Sequence, residues 1–142
     1  MLLNLSIAFC LLALTVDIHV IGLTAMMQRL GLSGPPQTAG FISRIWLLVR
    51  AAGWVVAIHG IEIAVWAMFY WWQDCLPDFE SSLYFSVVTY TTVGYGDLVL
   101  PSGWRILAGV EALTGILMCG WSTGFFFTIA TRIYPAHKEP SK

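Results

Sequence analysis

The stretch Pro77-Asp78-Phe79-Glu80-Ser81-Ser82-Leu83-Tyr84-Phe85-Ser86-Val87-Val88-Thr89-Tyr90-Thr91, followed at once by Thr92-Val93-Gly94-Tyr95-Gly96-Asp97, decides the fold. Its first part predicts a helix over 79–91, with Asp78 placed to cap the N-terminus and Glu80 on the positive end. About three turns are too few to cross a bilayer, which takes about 20 apolar residues. A chain that enters a membrane on so short a helix must return through non-helical backbone. Such backbone is tolerated only where it is buried in protein or lines a watery path. Its cost marks the segment as functional.

Working outward, the segment lies between two long apolar runs. The one before it, about Ile45 to Trp72, carries Trp46 at one end and Trp71 with Trp72 at the other, as aromatic anchors at two membrane surfaces do. Trp46 to Trp71 is roughly 39 Å of helix at 1.5 Å per residue, against a hydrocarbon core of about 30 Å, so it spans with tilt. The run after it, about Ser102 to Tyr134, starts at Trp104 and Arg105 and ends at Arg132 before Pro135. Its Gly109, Gly115, Gly120 and Gly124 allow close helix contact or bending. A third run, Leu2 to Met27, is interrupted by Asp17 and His19. It has no basic residue before it and exceeds the usual length of a signal sequence, so a retained helix is expected. Between it and Ile45, Gly31, Ser33, Gly34, Pro35, Pro36 and Gly40 form a loop.

Composition agrees with this reading. Of 142 residues, 58% are hydrophobic and only 11% charged, against about 25% charged in a soluble domain. A net charge of −1 offers no basic field for nucleic acid. The seven basic residues divide unevenly: Arg29, Arg44, Arg50, Arg132, Lys138 and Lys142 fall on one side of the three spans, and Arg105 on the other. By the positive-inside rule the N-terminus is expected outside, the Gly31–Gly40 loop inside, the Asp74–Pro101 segment outside and the C-terminus cytoplasmic. The outer side then carries the acids Asp74, Asp78, Glu80 and Asp97.

Thr92-Val93-Gly94-Tyr95-Gly96-Asp97 after a short apolar helix resembles the selectivity filter of the potassium-channel family, and Leu83 to Thr91 resembles that family's pore helix. The nearest pattern is that of small bacterial channels with two helices around one pore loop. The resemblance covers about Trp46 to Tyr134; Leu2 to Met27 is an addition to it. It implies an all-α membrane protein with three transmembrane helices per chain. A re-entrant pore helix and filter loop would lie between the second and third, four chains would form the pore, and the protein would sit in the cell membrane. The expected organisation is an extra helix over 1–29, a cytoplasmic loop over 30–44, a pore domain over 45–134 and a short tail over 135–142. Within the pore domain the outer helix takes 45–72, the pore helix 79–91, the filter 92–97 and the inner helix 102–134.

The physical chemistry explains the residue types. A potassium ion must exchange its water shell for other oxygens at little net cost, and backbone carbonyls supply dipoles without a trapping charge. The carbonyls of Thr92, Val93, Gly94 and Tyr95, with the Thr92 hydroxyl, are assigned to the ion sites, and Gly96 closes the filter. Gly94 and Gly96 permit backbone angles that a side chain penalises. Val93 and Tyr95 side chains would point away from the axis. By resemblance, Tyr84 and Asp97 meet behind the filter through a hydrogen bond, Glu111 packs behind the pore helix, and Val88 stands where some channels carry a buried Glu. Potassium is cargo, and no cofactor is called for.

Ile116, Cys119, Thr123, Phe127 and Thr131 recur at helical spacing and are candidates for the pore lining, with a ring of Phe127 as a dewetting gate and Phe125 or Phe126 as equal alternatives. Gly115, where the resembled family often bends, and Gly120 are candidate hinges; close packing is an equal reading for Gly115. Asp17, His19, Arg50, His59, Glu62 and Glu111 are ionisable groups in apolar runs, which makes them functional candidates. His59 and Glu62 share a helix face, but a metal needs more ligands than that pair, so paired or snorkelling structural groups are expected. Cys10 and Cys119 read as core or lipid-facing, and Cys75 as a free thiol in preference to a bond between subunits.

There is no HExxH and no phosphate loop, so an enzyme is not expected. No helix repeats a basic residue every third position, as a voltage sensor would, and the tail is expected to be too short for a regulatory domain. Competing readings are a weakly selective cation channel and a non-conducting accessory membrane subunit. The added helix has three open roles: packing around the pore, binding lipid, or recruiting a regulatory partner.

Overall fold

A computed structural model describes residues 2–31 and 40–133. Among these, four helices follow in order: α1 (Leu2–Arg29), α2 (Phe41–Trp72), α3 (Phe79–Tyr90) and α4 (Arg105–Ile133). Helices α1, α2 and α4 are long and apolar enough to span a membrane; α3, at 12 residues, is not. Most of the loop between α1 and α2 lies outside the described residues, as does the tail with Lys138 and Lys142.

Two helix starts differ from the sequence expectation. The outer helix begins at Phe41 and not at 45, because Gly40, in extended backbone, is the last residue that interrupts the run. The inner helix begins at Arg105 and not at 102, because Ser102 to Trp104 are used in a turn that the Trp104 amide closes on the Pro101 carbonyl at 2.8 Å. At the short helix, Asp78 caps the N-terminus by accepting from the Ser81 amide at 2.7 Å, and Thr91 is the C-cap.

The added helix is built into the core. Its buried residues Ala8, Thr15, His19, Leu23 and Met26 recur every three, four or seven positions, forming one seam against α2 and α4. Ala8 joins a first cluster with Trp66, Tyr70, Cys75, Leu76, Phe85, Leu100 and Leu107, while Leu23 and Met26 join a second with Ala51, Val55, Ile58 and Ile129. In lipid, apolar burial alone does not hold helices together, so close packing and polar contacts must contribute. The Trp66 indole donates to the Thr15 hydroxyl at 3.1 Å, and the Trp54 indole donates to the Gly22 carbonyl at 3.0 Å. The side chain of Cys75 is buried in the first cluster, and its burial, with Asp74 beside it, raises its thiol pKa. That position favours the free thiol over a bond between subunits; Cys10 and Cys119 are free and exposed on the single chain.

Candidate functional site

The loop after α3 hangs from the end of that helix. The Thr92 amide donates to the Thr89 carbonyl at 2.9 Å, and the amides of Val93 and Gly94 both donate to the Val88 carbonyl, at 3.0 and 3.2 Å. Thr92, Gly94 and Gly96 have φ of 61°, 56° and 77°, whereas Val93 and Tyr95 do not have positive φ. Left-handed backbone therefore alternates with ordinary backbone along the segment. Glycine takes this conformation freely, but a β-branched residue there is an outlier costing about 1–3 kcal/mol, and such residues persist at functional sites. The strained position of Thr92 carried no sequence signal of its own.

At the far end of the loop the Tyr84 hydroxyl donates to Asp97 Oδ2 at 2.7 Å, which holds the Asp97 carboxyl below its ordinary pKa of 3.8. Val88 is buried under the loop. Residues 91–97 are all exposed on the single chain, Tyr95 at 73% and Val93 at 52%. A cavity of about 250 Å³ separates the loop from α3 and the start of α4, lined by Tyr84, Val88, Gly94, Asp97 and Arg105 among others.

Glu111 is fully buried behind α3. It accepts from the Tyr70 hydroxyl at 2.8 Å and is bonded to the Ser86 hydroxyl, which also reaches the Ile63 carbonyl at 3.0 Å. One carboxyl group thus joins α2, α3 and α4. On α4, Ile116, Cys119, Thr123, Phe127 and Thr131 are all exposed on the single chain, with Phe127 at 71%, whereas Phe125 and Phe126 pack against the second cluster. The two candidate hinges differ. A Cβ on Gly115 would meet the Tyr90 carbonyl oxygen at 1.9 Å, and one on Gly120 would meet nothing within 4 Å. Gly115 is a contact point between α4 and the end of α3, which favours the packing reading there.

A second polar group lies beside that end. Glu62, fully buried, faces His19 Nδ1 at 2.8 Å with one oxygen and His59 Nδ1 at 3.1 Å with the other. The Tyr90 hydroxyl also donates to it. Residues from all four helices meet here, since Ser122 Oγ contacts Nε2 of His19 at 3.3 Å and of His59 at 3.2 Å. The shared face of His59 and Glu62 was legible in the sequence; His19, Tyr90 and Ser122 were not linked to it by any spacing. Asp17, two residues from His19, is exposed on the opposite side of α1.

A short capped helix and an exposed loop of alternating backbone hand, held between two spanning helices, define a membrane protein with a short helix between its second and third spans. Residues 44–132 match the family described as ion channel, and the chain belongs to that family. It is a multi-pass membrane protein and not an enzyme. No curated protein and no solved structure matches the chain.

Proposed function

We propose that this ion channel conducts potassium selectively and passively through a pore formed by four copies of the chain. The observation that carries the reading is the alternation of backbone hand over Thr92, Gly94 and Gly96 within Thr92-Val93-Gly94-Tyr95-Gly96. Alternating hand is the backbone pattern that lets successive carbonyls face the same way, as a row of sites replacing an ion's water shell requires. The carbonyls of Thr92, Val93, Gly94 and Tyr95 form those sites, with the Thr92 hydroxyl at the inner end. Tyr84 and Asp97 hold the outer end; Val88 and Glu111 support the loop from behind.

Assembly follows from what the single chain leaves open. One loop cannot surround an ion, and a wholly exposed filter with the apolar side chains of Val93 and Tyr95 needs neighbours to cover it. Closed cyclic symmetry supplies them, with the number four implied by the resemblance. The C-terminal end of each α3 then directs negative partial charge at a central cavity, while Asp74, Asp78, Glu80 and Asp97 attract cations to the outer mouth. The exposed stripe of Ile116, Cys119, Thr123, Phe127 and Thr131 lines the inner pore, with the N-terminus outside and the C-terminus cytoplasmic.

The test is uptake of tracer rubidium, a potassium mimic, into proteoliposomes loaded with potassium chloride, with light scattering of the purified protein to count chains. Uptake by a four-chain particle, lost in Gly96→Ala, is the expected outcome. A monomer, or no uptake by wild type, contradicts the proposal.

A further inference from the structure

We propose that His19, His59 and Glu62 form a binding site for a divalent transition metal of the zinc class, which clamps the added helix α1 to the pore domain beside the inner end of α3. The ligand atoms of these three residues all lie within 4.8 Å of one another, and the three side chains range from buried to part-buried. Donors between 2.8 and 4.8 Å apart bracket the separation of about 3.4 Å between ligand atoms of tetrahedral zinc, given bonds of about 2.0–2.2 Å. Two imidazoles and one carboxylate are the donor set of zinc sites that keep an open fourth position. Magnesium and calcium prefer all-oxygen sites, so the two nitrogens select a transition metal.

The hydrogen-bond inventory around the two rings sharpens the assignment. Both Nδ1 atoms face Glu62, with the Tyr90 hydroxyl also 3.0 Å from Nδ1 of His59, and both Nε2 atoms converge on the single hydroxyl of Ser122. A neutral imidazole carries one proton, on one nitrogen or the other. If both rings carry it on Nδ1, Glu62 is served twice, but two Nε2 lone pairs then compete for the one proton of Ser122. With a metal on the Nδ1 side, both rings carry their proton on Nε2, and Ser122 Oγ accepts both with its two lone pairs. Histidine ligands regularly donate their second N–H to such a partner, which fixes ring orientation. The Tyr90 hydroxyl does the same for the carboxylate, tying the site to the last residue of α3. Hydroxyl and phenol thus stand where the outer partners of a three-ligand site belong.

The geometry also gives the site a purpose. His59 and Glu62 are three apart on α2, and His19 comes from α1, so one ion bridges the added helix to the pore domain. In lipid, where burial does not drive helix association, such a bridge would fix the register of α1. The inference does not depend on which ion the pore selects, because metal content is measured without any current.

The full-length chain would be produced in zinc-supplemented medium, purified in detergent on a tag without histidine, and dialysed against a weak chelator before elemental analysis. About one zinc per chain is expected in wild type, falling below about one-tenth in His19→Ala and His59→Ala. Ser122→Ala keeps the ligands and is expected to weaken zinc binding about 10-fold or more, the usual effect of removing an outer partner. Cobalt added to metal-free wild type should give visible absorption bands of a tetrahedral site that zinc abolishes, and this reading holds even where a variant fails to fold. Wild type that retains no zinc and gives no cobalt bands, or zinc content unchanged in both histidine variants, overturns the proposal.

Discussion

Gly115 of α4 lies so close to the backbone of Tyr90 that a methyl group there would sit 1.9 Å from the Tyr90 carbonyl oxygen. The neighbour is the end of the helix from which the Thr92–Asp97 loop hangs, and backbone cannot rotate away as a side chain can. Gly115→Ala is therefore expected to cost about 3 kcal/mol, the upper end for overpacking, and to lower the unfolding temperature in detergent. Gly120→Ala, with open space around it, should leave that temperature unchanged or slightly raised. Equal effects of the two substitutions would show that the contact does not constrain α4.

The Tyr84–Asp97 hydrogen bond gives a pH dependence with a definite sign. The bond to Tyr84 lowers the folded pKa of Asp97 below its ordinary 3.8. A depressed acid contributes stability above its unfolded value, and the contribution is lost as pH falls through the folded value. The bond is thus fully present at neutral pH and fails only in acid below pH 3.8. Tyr84→Phe should raise the Asp97 pKa toward 3.8, observable by NMR titration of the carboxyl carbon. An unshifted titration would mean that the bond does not form in the membrane.

Glu111 invites a different comparison. Ser86 has one hydroxyl proton and two neighbours, the Ile63 carbonyl and Glu111, while Tyr70 donates to the second oxygen of Glu111. An amide at 111 can donate to Ser86 and accept from Tyr70, so Glu111→Gln should keep the three helices joined. Glu111→Ala leaves Ser86 its bond to the Ile63 carbonyl but strands the buried Tyr70 hydroxyl, at a cost of about 1–3 kcal/mol. Thermal unfolding of the two variants checks this, with alanine expected well below wild type and glutamine near it.

On the C-terminal half of α4, Phe127 stands exposed and Phe125 is packed. If a ring of Phe127 closes the pore by dewetting, Phe127→Ala should raise closed-state leak about tenfold for every 1.4 kcal/mol of barrier removed. Phe125→Ala should instead destabilise the fold with leak unchanged. Single-channel recording separates the two, and unchanged leak in Phe127→Ala would place the gate elsewhere.

What the sequence disclosed follows from where each signal is local. The spans, the short helix and the Gly94/Gly96 loop are written in contiguous residues, because length, apolarity and glycine spacing act within one element. The meeting of Tyr84 with Asp97, 13 residues apart, came only through resemblance to a known family. The His19–Glu62 contact spans 43 residues and two helices, and no helical period connects them. Ser122 and Tyr90 carry no mark that sets them apart from other small or aromatic residues of an apolar helix. Even Gly115 could be read as hinge or contact until α3 was seen lying against it.

The central claim is that a row of carbonyls from Thr92 to Tyr95 discriminates potassium from sodium. It is tested most directly by the reversal potential of wild-type channels in a planar bilayer, with potassium on one side and sodium on the other, followed by graded potassium gradients. A potassium-selective pore gives a reversal potential that follows the potassium gradient by about 59 mV per tenfold change, the value for a singly charged ion. A reversal potential near zero in the mixed-ion condition, unmoved by the potassium gradient at constant total cation, would contradict it.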